Sequence, residues 1–114
     1  FAKFFLNEGI YLGRRYMKKN LIKEFTTKIK NPVDSDRALG WDTPSSKGSS
    51  AGDYFSNMSY GHLGFTGTSL WIDPEKEIII IFLTNRVHPS RNKKGIYKVR
   101  RELHNSIMTN IKEY

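Results

Sequence analysis

Tyr60-Gly61-His62-Leu63-Gly64-Phe65-Thr66-Gly67-Thr68-Ser69-Leu70-Trp71-Ile72-Asp73-Pro74-Glu75-Lys76-Glu77, with the run Ile78 to Asn85 behind it, decides the fold of this chain. A polar, glycine-dense approach carries His62 into a short strand. A second strand passes through Leu70, Trp71 and Ile72, and the turn Asp73-Pro74-Glu75-Lys76 leads to a third. Pro74 supplies the fixed φ of the second turn position, and Glu75-Lys76 keep the tip in water. Ile78 to Leu83 is apolar at every position, which predicts a central strand covered on both faces. Histidine between small residues at the lip of a buried strand suits a site where a backbone N–H approaches a substrate closely. Glycine spacing alone also fits a loop feeding an ordinary hairpin, with His62 solvated.

Downstream, Ile96, Val99, Leu103, Ile107 and Ile111 recur at spacings of three and four, so a helix over 90–113 should lay one apolar stripe on the sheet. Lys98, Arg101, Glu102, Asn105 and Lys112 then form its solvated face. Upstream, Phe1, Phe4 and Phe5 mark one helical face, with Asn7 to Gly9 as the helix end. Leu21, Ile22 and Phe25 mark a second helix, about 17–27. Asn31-Pro32 and Asp34-Ser35-Asp36 break the chain, and Leu39 and Trp41 alternate with small neighbours as a short strand does. The layering is α+β: an antiparallel sheet with the C-terminal helix packed on one face. The expected divisions of this one domain, 1–114, are a helical part (1–30), a strand and long loop (31–59), the strand hairpin (60–85) and the last helix (90–113).

Residues 43–59 are rich in serine and glycine, and a loop of this length inside a domain commonly lies over a site. Its aromatics, Tyr54 and Phe55, either line a substrate groove or anchor the loop to the body of the protein.

Composition narrows the function classes. The chain has 114 residues, 38% hydrophobic and 13% aromatic, with a mean hydropathy of −0.56. So many aromatics argue against disorder, and the low apolar share suits a partial core that further chain would complete. No apolar stretch approaches the roughly 18 residues that span a bilayer. Without cysteine there is no disulfide, thiolate metal site or cysteine nucleophile. Nineteen basic and 11 acidic residues leave a net charge of +8. The basic pairs are scattered and no recognition motif accompanies them, so a solvated basic surface is expected and no nucleic-acid partner. His88 and His104 lack metal-ligand spacing and are expected at the surface; no metal or cofactor is anticipated.

The order His62-Leu63-Gly64, Phe65-Thr66-Gly67, the strand through Trp71, the Pro-Glu-Lys turn and the aliphatic run to Thr84-Asn85 resembles one family. It is similar to the third active-site strand and its successor in the serine β-lactamase and penicillin-binding-protein-like hydrolases, nearest the class C branch with its esterase and D-aminopeptidase relatives. Asn7-Glu8-Gly9-Ile10-Tyr11-Leu12-Gly13 looks like the family's Gly-x-Tyr-x-Gly linker between two helices, and Leu39-Gly40-Trp41 like the strand that follows. The resemblance covers most of the chain, and its sharp motif lies at 62–67.

That resemblance implies a C-terminal portion of a β-lactamase/transpeptidase-like fold, and an acyl-enzyme reaction on an ester or amide. The family's Ser-x-x-Lys nucleophile and its Tyr-x-Asn or Ser-x-Asn base stand well upstream of this strand. Phe1 opens in mid-helix, so the chain is expected to be a fragment whose partner is the N-terminal part of the same polypeptide. Ser90-Arg91-Asn92-Lys93 spells the nucleophile motif in a basic loop after the strand, where its lysine would not be desolvated; we read it as coincidence. The implied oxyanion donor is the Phe65 N–H. Gly64 would be glycine because a Cβ would crowd the acyl group. At position 62 many relatives carry lysine, and the histidine here would give a substrate carboxylate no permanent cation. It points to the esterase, D-aminopeptidase and peptidase branches. Thr66 and Gly67 serve strand geometry first, and Thr66 joins Tyr54 and Phe55 as candidate substrate contacts. Secretion or surface attachment is what the resemblance suggests. The alternative is a catalytically silent relative that binds peptide or cell-wall ligands.

Overall fold

A computed structural model of the chain describes residues 1–111. Its elements are α1 (Ala2–Leu6), β1 (Ile10–Tyr11), β2 (Arg14–Arg15), α2 (Lys19–Thr26), β3 (Tyr60–Leu63), β4 (Ser69–Asp73), β5 (Ile78–Phe82) and α3 (Ile96–Asn110). The fold is α+β, with β3-β4-β5 an antiparallel sheet and α3 against one face.

Alternation along β4 divides the core in two. Ile72 points to one face and joins Ala2, Ala38, Trp41 and Tyr60, with Phe5 against them. Trp71 points to the other face and joins Ala51, Phe55 and Ile80, covered by Ile107 and Met108 of α3. Both Trp71 and Ile72 are almost fully buried, so β4 is the centre of the sheet. Trp71 lies so close to Gly61 in β3 that a Cβ on Gly61 would strike its ring, which is why that strand position carries glycine.

The apolar run was expected to be central, and it is not. Among the described residues β5 pairs only with β4, so it is the edge strand, and Ile81 is 59% exposed and Leu83 76%. Its unbroken hydrophobicity reflects an uncovered face as well as a covered one. The expected strand at Leu39-Trp41 is absent too: Leu39 and Gly40 form a bend, with Gly40 at φ +81°, between Arg37 and Asp42, which bridge each other. Asp42 in turn exchanges main-chain hydrogen bonds with Gly61 (2.7 and 2.9 Å) and so occupies part of the outer edge of β3.

Gly9 ends α1 as anticipated, at φ +89° with its N–H on Phe4 O (2.9 Å). The segment read as a linker folds on itself, β1 pairing with β2 across the positive-φ residues Leu12 and Gly13. In α2 only Ile22 is buried, while Leu21 and Phe25 stay largely exposed.

α3 starts at Ile96, and 90–95 is a turn-rich loop. Its buried face is rotated from the expected stripe: Ile96, Arg100 and His104 are buried, whereas Val99 and Ile111 are 46% and 44% exposed. Lys112 lies outside the described residues. The rotation arises because α3 covers the long loop as well as the sheet, and the loop offers backbone carbonyls that polar side chains can satisfy. His104, expected at the surface, is fully buried with Nδ1–H donating to Ser50 O at 2.7 Å.

Candidate active site

β3 ends at Leu63, and 64–68 turn the chain into β4. Alternation fixes which groups face where. Gly64 N–H points inward and donates to Thr68 O (2.8 Å), so the next N–H along, that of Phe65, points to the same outer edge as the Gly61 groups held by Asp42. Among the described residues the N–H groups of Phe65 and Thr66 find no protein acceptor. The carbonyls are all engaged. Gly64 O accepts from Gly67 N (3.1 Å) and Arg100 Nη2 (2.9 Å), and Phe65 O from Arg86 Nε (2.7 Å). Thr66 O accepts from Arg86 N (2.8 Å), Gly67 O from Arg100 Nε (3.2 Å) and Thr68 O from Arg100 Nη2 (2.8 Å). A turn with its oxygens tied back and two consecutive N–H groups open is a cradle for a negative oxygen.

His62 is exposed on the face that carries Tyr60 and, in register across the sheet, Leu70 and Ile81. Beyond α1 this face is open, so the histidine stands at the rim of an uncovered apolar surface. Tyr60 is buried, and burial with the nearby Glu8 charge pushes its phenol up to about 12, so it is neutral at any physiological pH.

Two expectations about this turn change. A Cβ on Gly64 would fall on Thr68 Oγ1, so the close neighbour that demands glycine belongs to the chain itself. Thr66 and Gly67 lie in the turn rather than the strand. Gly67, at φ +113°, packs where a Cβ would meet Thr84 Oγ1.

The structure gathers His62, Gly64, Phe65 and Thr66 at one end of the hairpin and leaves Tyr54 and Phe55 at the other. Phe55 is buried on the α3 face, 5.9 Å from the Trp71 ring and 5.8 Å from His104. Tyr54 is half exposed, with its carbonyl bound by Lys76 Nζ (2.7 Å) at the β4–β5 turn. Both positions anchor the loop. Ser90 sits in an exposed loop where its hydroxyl accepts from Asn92 N (3.3 Å), far from any desolvated lysine.

Sequence reasoning missed Arg86 and Arg100. Arg86 stacks over the Phe65 ring (4.5 Å) and borders a cleft of about 440 Å³ with Arg91, Lys94 and Tyr97. Arg100 is 3% exposed, and among the described residues no carboxylate forms an ion pair with it. Burial lowers its guanidinium pKa, with Tyr97 opposing and Arg86 adding to the effect. The signal for Arg100 was its place four residues after Ile96, on what became the inner face of α3. Among the described residues no three histidine or carboxylate side chains gather as a metal site, and no helix is long and apolar enough to cross a membrane.

The Beta-lactamase family profile matches residues 1–104, and the chain belongs to that family. It is 36% identical over 92 residues to a Salmonella gallinarum protein named "Putative D-alanyl-D-alanine carboxypeptidase", covering 78% of this chain and 21% of that protein. Proteins of the same name from Salmonella typhi and Salmonella newport are 35% identical over the same lengths and coverage. The chain thus spans about a fifth of these relatives.

Proposed function

We propose that this chain is the C-terminal, oxyanion-donating part of a serine hydrolase that cleaves a D-amino-acid peptide or an ester through an acyl-enzyme. The observation that carries the reading is the Phe65 N–H, which points from the end of β3 with no acceptor among the described residues while every carbonyl of the turn is held. As the nucleophile adds to the substrate carbonyl, the oxygen becomes negative, and a fixed main-chain donor lowers that barrier without reorganising. The serine and its base come from the preceding part of the polypeptide, seated on the open face beside His62, Leu70 and Ile81. His62 hydrogen-bonds the incoming base or the substrate, and Thr66 contacts the substrate from the same turn. The name of the Salmonella relatives favours a peptide ending in D-alanine.

Labelling with a fluorophosphonate, read by intact-protein mass and peptide mapping, tests this. The full-length protein should take one label on a serine of an upstream Ser-x-x-Lys motif, and the 114-residue chain none. A full-length protein that binds D-alanyl peptides yet takes no label would establish the silent receptor instead. A stoichiometric label on Ser90 would overturn the placement of the site.

A further inference from the structure

Two consecutive peptide units of the turn whose N–H groups find no acceptor among the described residues, 64–65 and 65–66, each have a guanidinium on the opposite end. Arg100 Nη2 donates to Gly64 O, the carbonyl of the same amide that carries the Phe65 N–H, and Arg86 Nε donates to Phe65 O. We propose that Arg100 is a positioning residue for the oxyanion donor, fixing the plane of the 64–65 peptide and polarising it so that the Phe65 N–H becomes a stronger donor. The proposal rests on the serine hydrolase reading and adds a residue to it.

Three observations carry it. Arg100 is buried behind the turn, so it cannot touch substrate and acts only through the backbone. Its one planar group binds Gly64 O, Gly67 O and Thr68 O, which spans the turn from the end of β3 to the approach to β4. Lysine carries its three donors on one rotatable nitrogen, whereas these carbonyls are met from two nitrogens of a fixed planar fork, Nε and Nη2. Finally, among the described residues no carboxylate pairs with this buried cation, and a buried charge is a poor stabiliser, since an apolar side chain of similar volume usually serves a core as well or better. What the guanidinium supplies that an apolar group cannot is a charged donor on the amide oxygen. Hydrogen bonds in series strengthen one another, and a charged donor polarises its acceptor more than a neutral one.

The test compares Arg100→Lys and Arg100→Met in the full-length protein, with p-nitrophenyl acetate as substrate and phenylboronic acid as a mimic of the tetrahedral oxyanion. In folded variants kcat should fall by about 10- to 100-fold with KM within about twofold, part of the loss seen when an oxyanion donor is removed outright. Boronate affinity should fall in step with kcat, and Arg100→Met should lose more than Arg100→Lys whatever their relative melting temperatures. Parental kcat in either folded variant overturns the proposal, as does a loss that tracks the folded fraction with boronate affinity unchanged. If neither variant folds, the ¹⁵N-labelled Phe65 amide of the unsubstituted protein decides: its proton resonance should move downfield on boronate binding, and an unmoved resonance overturns the proposal. Serine labelling of the unsubstituted protein reports separately on the hydrolase reading itself.

Discussion

The carboxylate of Asp73 accepts from both the main-chain N–H and the hydroxyl of Ser56, each at 2.8 Å, and so ties the long loop to the β4–β5 turn. The same carboxylate accepts from Glu75 N (3.0 Å) and Lys76 N (3.1 Å), closing the turn that Pro74 begins. At the loop's other flank, Asn105 Oδ1 accepts from Asp53 N (2.7 Å) and His104 from α3 holds Ser50. The loop therefore belongs to the core despite lacking regular structure.

Asp73→Ala should lower stability by about 2–4 kcal/mol, because it strands the part-buried N–H groups of Ser56, Glu75 and Lys76. Burial raises the Asp73 pKa, but the bonds from Ser56, Lys76 and Ser59 outweigh it and hold the carboxyl below its ordinary 3.8. Its contribution is thus complete above about pH 4 and lost as pH falls through the lowered folded value. Urea unfolding of the parent and of Asp73→Asn between pH 3 and 6 checks this; parallel pH profiles would contradict it.

His104 should make the fold acid-sensitive in a higher range. Burial lowers its pKa from 6.5, with the bond to Ser50 opposing and Arg100 adding to the effect. Below about 6.5 the unfolded chain takes up a proton that the folded chain resists, so stability drops as pH falls from 7 toward the folded value. The drop should be missing in His104→Gln. Equal slopes between pH 7 and 5 for the two proteins would rule this out.

The rotated face of α3 predicts opposite outcomes at neighbouring apolar positions. Ile96→Ala should cost about 2–4 kcal/mol, as buried isoleucine truncations do, while Val99→Ala, at a half-exposed position, should cost well under 1 kcal/mol. Thermal melts of both variants test the rotation, and equal losses would restore the stripe read from spacing.

At the site, Gly64→Val should reduce turnover of the full-length enzyme on the order of 10²–10³-fold by misaiming the Phe65 N–H. Phe65→Leu keeps that N–H and should retain most activity, and His62→Ala should fall between them. The cause can be located with Gly64→Ala. If Thr68 Oγ1 is the obstacle, adding Thr68→Ala should recover rate. If the acyl group itself is crowded, the double variant stays as slow as the single one.

The hairpin was legible because three local signals agree there: the turn chemistry of Asp73-Pro74, the polar tip at Glu75-Lys76, and the aliphatic run from Ile78 behind it. The site was legible only through the resemblance at 62–67, since an open N–H has no side-chain signature. Arg100 was missed and His104 misplaced for a shared reason. Polar side chains on a helix read as solvated unless one knows that a loop will present carbonyls to them, and the contacts in question join residues 32 to 54 positions apart. β5 was misplaced because six apolar residues in a row do not say whether their second face finds its cover within this chain.

The outer edge of β5 governs the physical state in which this sheet can be handled. From Ile78 to Phe82 it carries no lysine, proline or bulge, the devices by which natural edges discourage pairing. A second molecule can therefore extend the sheet through the same main-chain groups that a strand of the longer polypeptide would use. Dispersity in light scattering then becomes a gauge of whether that strand is present: solutions of the chain alone should grow larger species with concentration, and a tethered strand that takes the edge should keep them monomeric.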